Sequence, residues 1–172
     1  FRTAGLESAD IDAFLLFEHV TGLGRLQLLR APDLVLSAKN VDLLELASRR
    51  RLSREPVHRI IGSRSFYGRE FELSADTLEP RSDTECLVDL ALELLAERRG
   101  EPISVLDLGT GTGILAITLV AEFAHSHGVA VDLAPGALAT AQKNAKSHGV
   151  GERIDFLKSN WFAQVEGRFD LI

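Results

Sequence analysis

A chain of 172 residues, 45% hydrophobic and 26% charged, has the balance of a folded globular protein, which excludes a disordered chain and leaves room for a small domain beside part of a larger one. Its longest apolar runs, Ala13 to Phe17 and Ile114 to Ala121, are far shorter than the roughly 20 residues that span a bilayer, and its first residues carry no export signature. The net charge of −6 is unevenly spread: residues 1–64 carry 10 Lys and Arg against 8 Asp and Glu, and residues 65–172 carry 9 against 17, so the second part is a poor match for a phosphate backbone.

Helical signals fill the first sixty residues. Ser8 and Asp10 offer N-cap oxygens ahead of Ile11, Phe14, Leu15 and Val20, which space out as one apolar stripe, and Gly22 supplies a stop. A short helix is predicted over Arg25 to Arg30, closed by Pro32. A third begins near Ser37 or Asn40, runs through Val41, Leu44, Ala47 and Leu52, and ends before Pro56. So small a helical bundle buries little surface by itself and is expected to pack on the remainder of the chain. Its basic cluster, Arg49, Arg50, Arg51, Arg54 and Arg59, reads as a solvated helix face or as a contact for an anionic partner.

The stretch Ser65-Phe-Tyr-Gly-Arg-Glu-Phe-Glu-Leu-Ser74 reads as a β-hairpin linker turning at Gly68, with Phe71 and Leu73 alternating with Glu70 and Glu72. Ser82-Asp-Thr-Glu85 has capping-box spacing and opens a helix whose stripe is Leu87, Val88, Ala91, Leu94 and Leu95. The pattern then becomes strand (Ile103 to Leu106), glycine turn, helix (Ile114 to Glu122), strand (Gly128 to Val131), helix (Pro135 to Ser147), strand (Ile154 to Leu157) and strand (Phe169 to Ile172). Such alternation predicts an α/β fold with a parallel sheet covered by helices. A chain without methionine that opens at Phe1 and ends inside a strand-like run reads as an excerpt of a longer protein. Cys86 has no disulfide partner, which suits a reducing cytoplasm, and on an apolar helix face it is expected to be a buried thiol. His125 and His127 lack a third ligand nearby, so no metal site is expected.

The strongest chemical signal is Asp107-Leu-Gly-Thr-Gly-Thr-Gly113, directly after a predicted strand and opening a predicted helix. Glycine there admits positive φ and close approach of a ligand, at the strand end where open α/β sheets bind cofactors. A dinucleotide fingerprint also has glycines here, but as GxGxxG, whereas this turn is GxGxG headed by an acid. An aspartate at the entrance repels a pyrophosphate and suits the cationic amino-acid end of S-adenosylmethionine. Asp132, nineteen residues after Gly113, can accept hydrogen bonds from ribose hydroxyls. In Ser159-Asn-Trp-Phe162, Asn160 can bond an adenine edge, while Trp161 either stacks near it or packs into the core.

These residues resemble the glutamine N5-methyltransferases of peptide chain release factors, the HemK or PrmC family. Glu55-Pro-Val-His-Arg-Ile-Ile-Gly62 is similar to the family's EPxxxIxG, Phe66-Tyr-Gly-Arg-Glu-Phe71 to FYGxxF, and Leu78-Glu-Pro-Arg-Ser-Asp-Thr-Glu85 to LIPRPxTE; DLGTGTG, the AVD ending in Asp132 and SNWF follow in the family's order. Glu79 replaces an apolar residue, Ser82 a proline, and Asn160 an acid. The resemblance implies a Rossmann-like class I methyltransferase sheet, preceded by a helical substrate- or partner-recognition domain over 1–64 and the hairpin linker over 65–81. The S-adenosylmethionine domain then spans 82–172 and is incomplete at its C-terminal end. It further implies cofactor contacts by Asp107, Gly109, Thr110, Gly111, Thr112, Gly113, Asp132, Leu133, Asn160 and Trp161. The implied partner is a release factor, in a cytoplasmic monomer with no nucleic acid or membrane partner. The family's NPPY segment, which aligns the accepting amide, is expected a few residues after Ile172, so no catalytic residue is assigned in this chain, which alone is expected at best to bind cofactor. Alternatives are a ribosomal-protein glutamine methyltransferase, an adenine-N6 nucleic-acid methyltransferase, and a non-catalytic nucleotide-binding module.

Overall fold

Capping residues punctuate the first part of the chain into α1 (Ala9–Thr21), α2 (Arg25–Arg30), α3 (Ala38–Leu52) and α4 (Val57–Ile61). The computed structural model describes residues 1–31 and 33–172, so the expected closure of α2 at Pro32 lies outside the described residues. Two units separate at Gly62: Phe1–Gly62 and Ser63–Ile172. In the first, Ser37 caps α3 by accepting the Asn40 N–H at 3.2 Å, and α1 stops at Gly22. Neither Ser8 nor Asp10 supplies the expected cap for α1, because the Ser8 hydroxyl donates to Asp12 and Asp10 pairs with Arg2.

The inward face of α1 also departs from the expected stripe. It is Ala9, Asp12 and Leu16, while Ile11 is exposed. Asp12, 3% exposed, accepts Arg51 Nε at 2.7 Å and the Ser8 hydroxyl at 2.8 Å. A buried carboxylate is tolerated when paired and hydrogen-bonded in this way, and polarity counting alone does not foresee it. Leu16, Ala47, Val57 and Ile60 form this unit's core. Four of the five clustered arginines are engaged within this unit: Arg49 pairs with Glu45, Arg50 with Glu55 and Arg51 with Asp12, and Arg54 donates to the carbonyls of Ala4 and Gly5.

The second unit begins with a hairpin of β1 (Ser63–Phe66) and β2 (Arg69–Glu72), paired Phe66 to Arg69 across Tyr67-Gly68. Both turn residues have positive φ, 50° and 70°, the geometry that matches strand twist in two-residue hairpins. Phe66 and Phe71 meet edge to face and sit in the unit's main core. The next helix, α5 (Glu85–Leu94), follows a 3-10 turn over Ser82–Thr84. The expected capping box is not formed: the Glu85 carboxylate accepts the Tyr67 N–H at 2.7 Å, so the hairpin tip takes the oxygen the helix start would have used. The helix buries Val88 and Ala91, and Leu95 just beyond it is buried too. Leu87 (55% exposed), Leu94 and Cys86 face outward, so the thiol is exposed and not buried as expected. The burial arc passes through positions 88, 91 and 95, and Cys86 lies on its far side.

Strands β3 (Ser104–Leu108), β4 (His127–Asp132) and β5 (Ile154–Lys158) alternate with α6 (Ile114–Glu122) and α7 (Pro135–Ser147). They form a parallel sheet in the order β3-β4-β5, the α/β architecture read from the pattern. Phe169 to Ile172 is not the full strand expected. Only Leu171 bridges Val105, in parallel, on the side of β3 away from β4. The Asp170 carboxylate accepts the Ser104 N–H and hydroxyl, both at 2.8 Å, so a side chain replaces part of the ladder. The strand order therefore reverses at β3, and the carboxyl end of β3 is the switch point where open sheets hold ligands.

Candidate functional site

At that switch point β3 runs into the turn Gly109–Gly113. Gly109, Gly111 and Gly113 have φ of 79°, 55° and 83°, a region that costs other residues roughly 1–2 kcal/mol each. A Cβ on Gly109 would meet nothing within 4 Å, so that side of the turn is open to a ligand. Gly113 is closed underneath: a Cβ there would lie 2.7 Å from Ile117 Cδ1 and 3.1 Å from Ala141 Cβ.

Most backbone donors of the turn are already engaged. The N–H groups of Gly109 and Thr110 donate to the Val131 carbonyl, and that of Gly113 to Thr110, all at 2.8 Å. The Gly111 N–H donates to Asp132 Oδ2 at 2.9 Å. Asp107 Oδ2 accepts the Thr110 hydroxyl at 2.7 Å and the Ala116 N–H, in the first turn of α6, at 3.3 Å. A carboxylate thus stands at the helix N-terminus, the place where a phosphate would otherwise be favoured. Burial pushes the Asp107 carboxyl above its ordinary range, with Asp132 adding to that and the bonds from Thr110 and Ala116 opposing it. An anion-binding turn needs free N–H groups and no carboxylates. This turn has the reverse, and favours a cationic ligand.

A pocket of about 190 Å³ opens beside the turn, lined by Asp107, residues 109–112, Arg81 and Thr84. Two models of known families match the chain: the PrmC N-terminal domain over residues 1–62 and the methyltransferase small domain over residues 84–172.

The chain belongs to the methyltransferase small domain family.

Relatives agree along nearly all of its length. It is 41% identical to the release factor glutamine methyltransferase of Agrobacterium fabrum (99% of this chain, 60% of that one) and 44% identical to that of Cereibacter sphaeroides (98% and 59%). It is 40% identical to that of Escherichia coli (94% and 57%). The chain thus spans about three-fifths of the length of the curated relatives it matches.

Within this methyltransferase unit, the residues singled out from sequence fall into two groups. Asp107, Gly109, Thr110, Gly111 and Thr112 line the pocket, Gly113 seats the turn on α6 and α7, and Asp132 joins through Gly111. Asp132 Oδ1 also accepts the Ala134 N–H at 2.9 Å, which leaves lone pairs on both oxygens. Leu133, Asn160 and Trp161 stand outside this pocket and are exposed. The Ser159 N–H donates to the Asp132 carbonyl at 3.1 Å, holding the Asn160–Ala163 turn at the same sheet end. Trp161, at φ 51° and 67% exposed, is not packed in the core. His127 lies 3.0 Å from Asp155, and no cluster of metal ligands occurs among the described residues. No helix among the described residues is long and apolar enough to cross a membrane.

Sequence reasoning passed over Arg81 and Thr84, although both stand in the Leu78–Glu85 motif. It also gave no hint of Asn144, a polar residue amid the buried Ala137, Ala141 and Ala145 of α7. Glu79, a departure from the family pattern, pairs with Arg64 at 2.6 Å.

Proposed function

We propose that this chain binds S-adenosylmethionine at the Asp107–Gly113 turn, and that the protein to which it belongs transfers the methyl group to the side-chain N5 of a glutamine in a peptide chain release factor. The observation that carries the reading is a glycine turn with most of its amides engaged and two carboxylates beside it, which suits a cationic nucleoside and repels a pyrophosphate. The names of the relatives support the acceptor. The same reading makes the protein a cytoplasmic monomer that does not act on nucleic acid.

S-adenosylmethionine supplies an electrophilic methyl group on a sulfonium, so the protein's task is orientation and charge placement. Asp107 answers the ammonium of the amino-acid end. Arg81, whose guanidinium has no ion-pair or hydrogen-bond partner among the described residues, is the cation on the pocket wall suited to its carboxylate. The remaining lone pairs of Asp132 suit the ribose hydroxyls. Leu133, Asn160 and Trp161 are assigned to the adenine, for which the exposed indole offers a stacking face. No catalytic residue is assigned in this chain.

Titration calorimetry with S-adenosylmethionine and NAD tests the cofactor: tight NAD binding without an S-adenosylmethionine signal would reject it. Labelled-methyl transfer by the full-length protein tests the acceptor. Label on a release-factor glutamine supports the assignment, and label only on a ribosomal protein, DNA or RNA overturns it.

A further inference from the structure

We infer that Asn144 is a positioning residue that joins the β1–β2 hairpin to the glycine turn, so that cofactor affinity depends on how the hairpin is seated; this rests on the cofactor reading of that turn. Asn144 is 3% exposed and touches two segments far from it in sequence. Its Oδ1 accepts the Glu72 N–H at 2.9 Å. Its Nδ2 donates to the Glu72 carbonyl at 3.1 Å and to the Thr112 carbonyl at 2.9 Å. One amide therefore satisfies both backbone groups of β2's last residue and a carbonyl inside the cofactor turn. A flipped amide would face like with like at all three places, so the orientation is determined by its partners.

The neighbourhood reinforces the tie. Along α7, Gly136, Thr140 and Asn144 fall on one face at four-residue spacing, and each meets either the end of β2 or the chain running on from it. Thr140 Oγ1 lies 2.9 Å from Ser74 Oγ, and a Cβ on Gly136 would collide with the Asp76 carboxylate. Lys143 pairs with Glu72, and His148 bonds the Glu70 carbonyl at 2.8 Å. The same helix supports the turn from below through Ala141 against Gly113. Among the described residues, only Asn144 hydrogen-bonds both the end of β2 and the glycine turn. No other side chain of similar size supplies one acceptor and two donors there: aspartate turns a carboxylate toward two carbonyls, and alanine leaves three backbone groups, the Thr112 carbonyl buried among them, without this partner.

The test uses the full-length protein. In the wild type, adding S-adenosylmethionine is expected to slow amide hydrogen exchange at Glu72 as well as in the turn; protection confined to the turn overturns the inference without any variant. N144A and N144D, measured well below their unfolding midpoints, are expected to bind S-adenosylmethionine at least tenfold more weakly. V150A, a truncation in the same core that leaves these three hydrogen bonds in place, is expected to stay within twofold at a comparable loss of thermal stability. The N144D deficit relative to wild type is expected to narrow on acidification, as the protonated acid regains a donor. Affinity of both Asn144 variants within twofold of wild type would overturn the inference. A wild type that binds no S-adenosylmethionine sinks the cofactor reading itself. In that case exchange of the cofactor-free protein still decides the coupling: N144A should speed exchange at Glu72 and Gly113 together, and speeding at one alone rejects it.

Discussion

Asp107 carries two duties that pull against each other. It caps α6 through the Ala116 N–H, and burial holds its carboxyl above the ordinary range. A cationic ligand favours the charged form, so affinity should be full above the raised pKa and should fall as pH drops through it. That fall begins at a higher pH than an ordinary carboxylate would give. Calorimetry across pH, in buffers of different ionisation enthalpy, should show proton release on binding near that pKa; D107N should bind weakly with a flat profile in the same range. G113A should lose at least tenfold in affinity, because φ 83° and the 2.7 Å approach to Ile117 both resist a methyl group. Spacing made the glycines and both aspartates legible, since a tight turn after a strand is a local event. Arg81 and Asn144 were not, because nothing beside them in sequence records what they face.

At the level of elements, α6 and α7 begin and end where periodicity and Pro135 placed them, whereas the segment after β5 depends on a distant serine. Asp170 is held down to about 2 by the Ser104 N–H and hydroxyl and by Arg98. Its folded value is depressed from 3.8, so its stabilisation is present above that value and is lost as pH falls toward 2. Hydrogen exchange should show Leu171 and Leu106 opening over that acid window, and D170A should open them already at neutral pH. The start of α5 likewise depends on a partner distant in sequence. Its capping-box spacing is real, but the Glu85 oxygen serves the Tyr67 N–H of the hairpin, and the outward Leu87 and Leu94 join Leu171 and Ile172 around a cleft of about 430 Å³.

Across the whole chain, each unit has its own core, and the most costly single changes differ between them. F71A, which empties a site of 0% exposure, should cost the second unit about 3–5 kcal/mol. D12A should cost the first about 3 kcal/mol by leaving Arg51 partly buried without its carboxylate. Denaturant titration followed by circular dichroism measures both. The amino-acid order by itself determined the alternation of elements, the helix limits at α6 and α7 and the acid-headed glycine turn, because capping, periodicity and turn chemistry act within a few residues. Only tertiary structure decided that Asp12 is buried, that Cys86 is exposed, and that Asn144 bridges two segments. The reason is separation: Asp12 meets Arg51 across 39 positions and Asn144 meets Glu72 across 72, and no local pattern encodes a partner that only folding brings near.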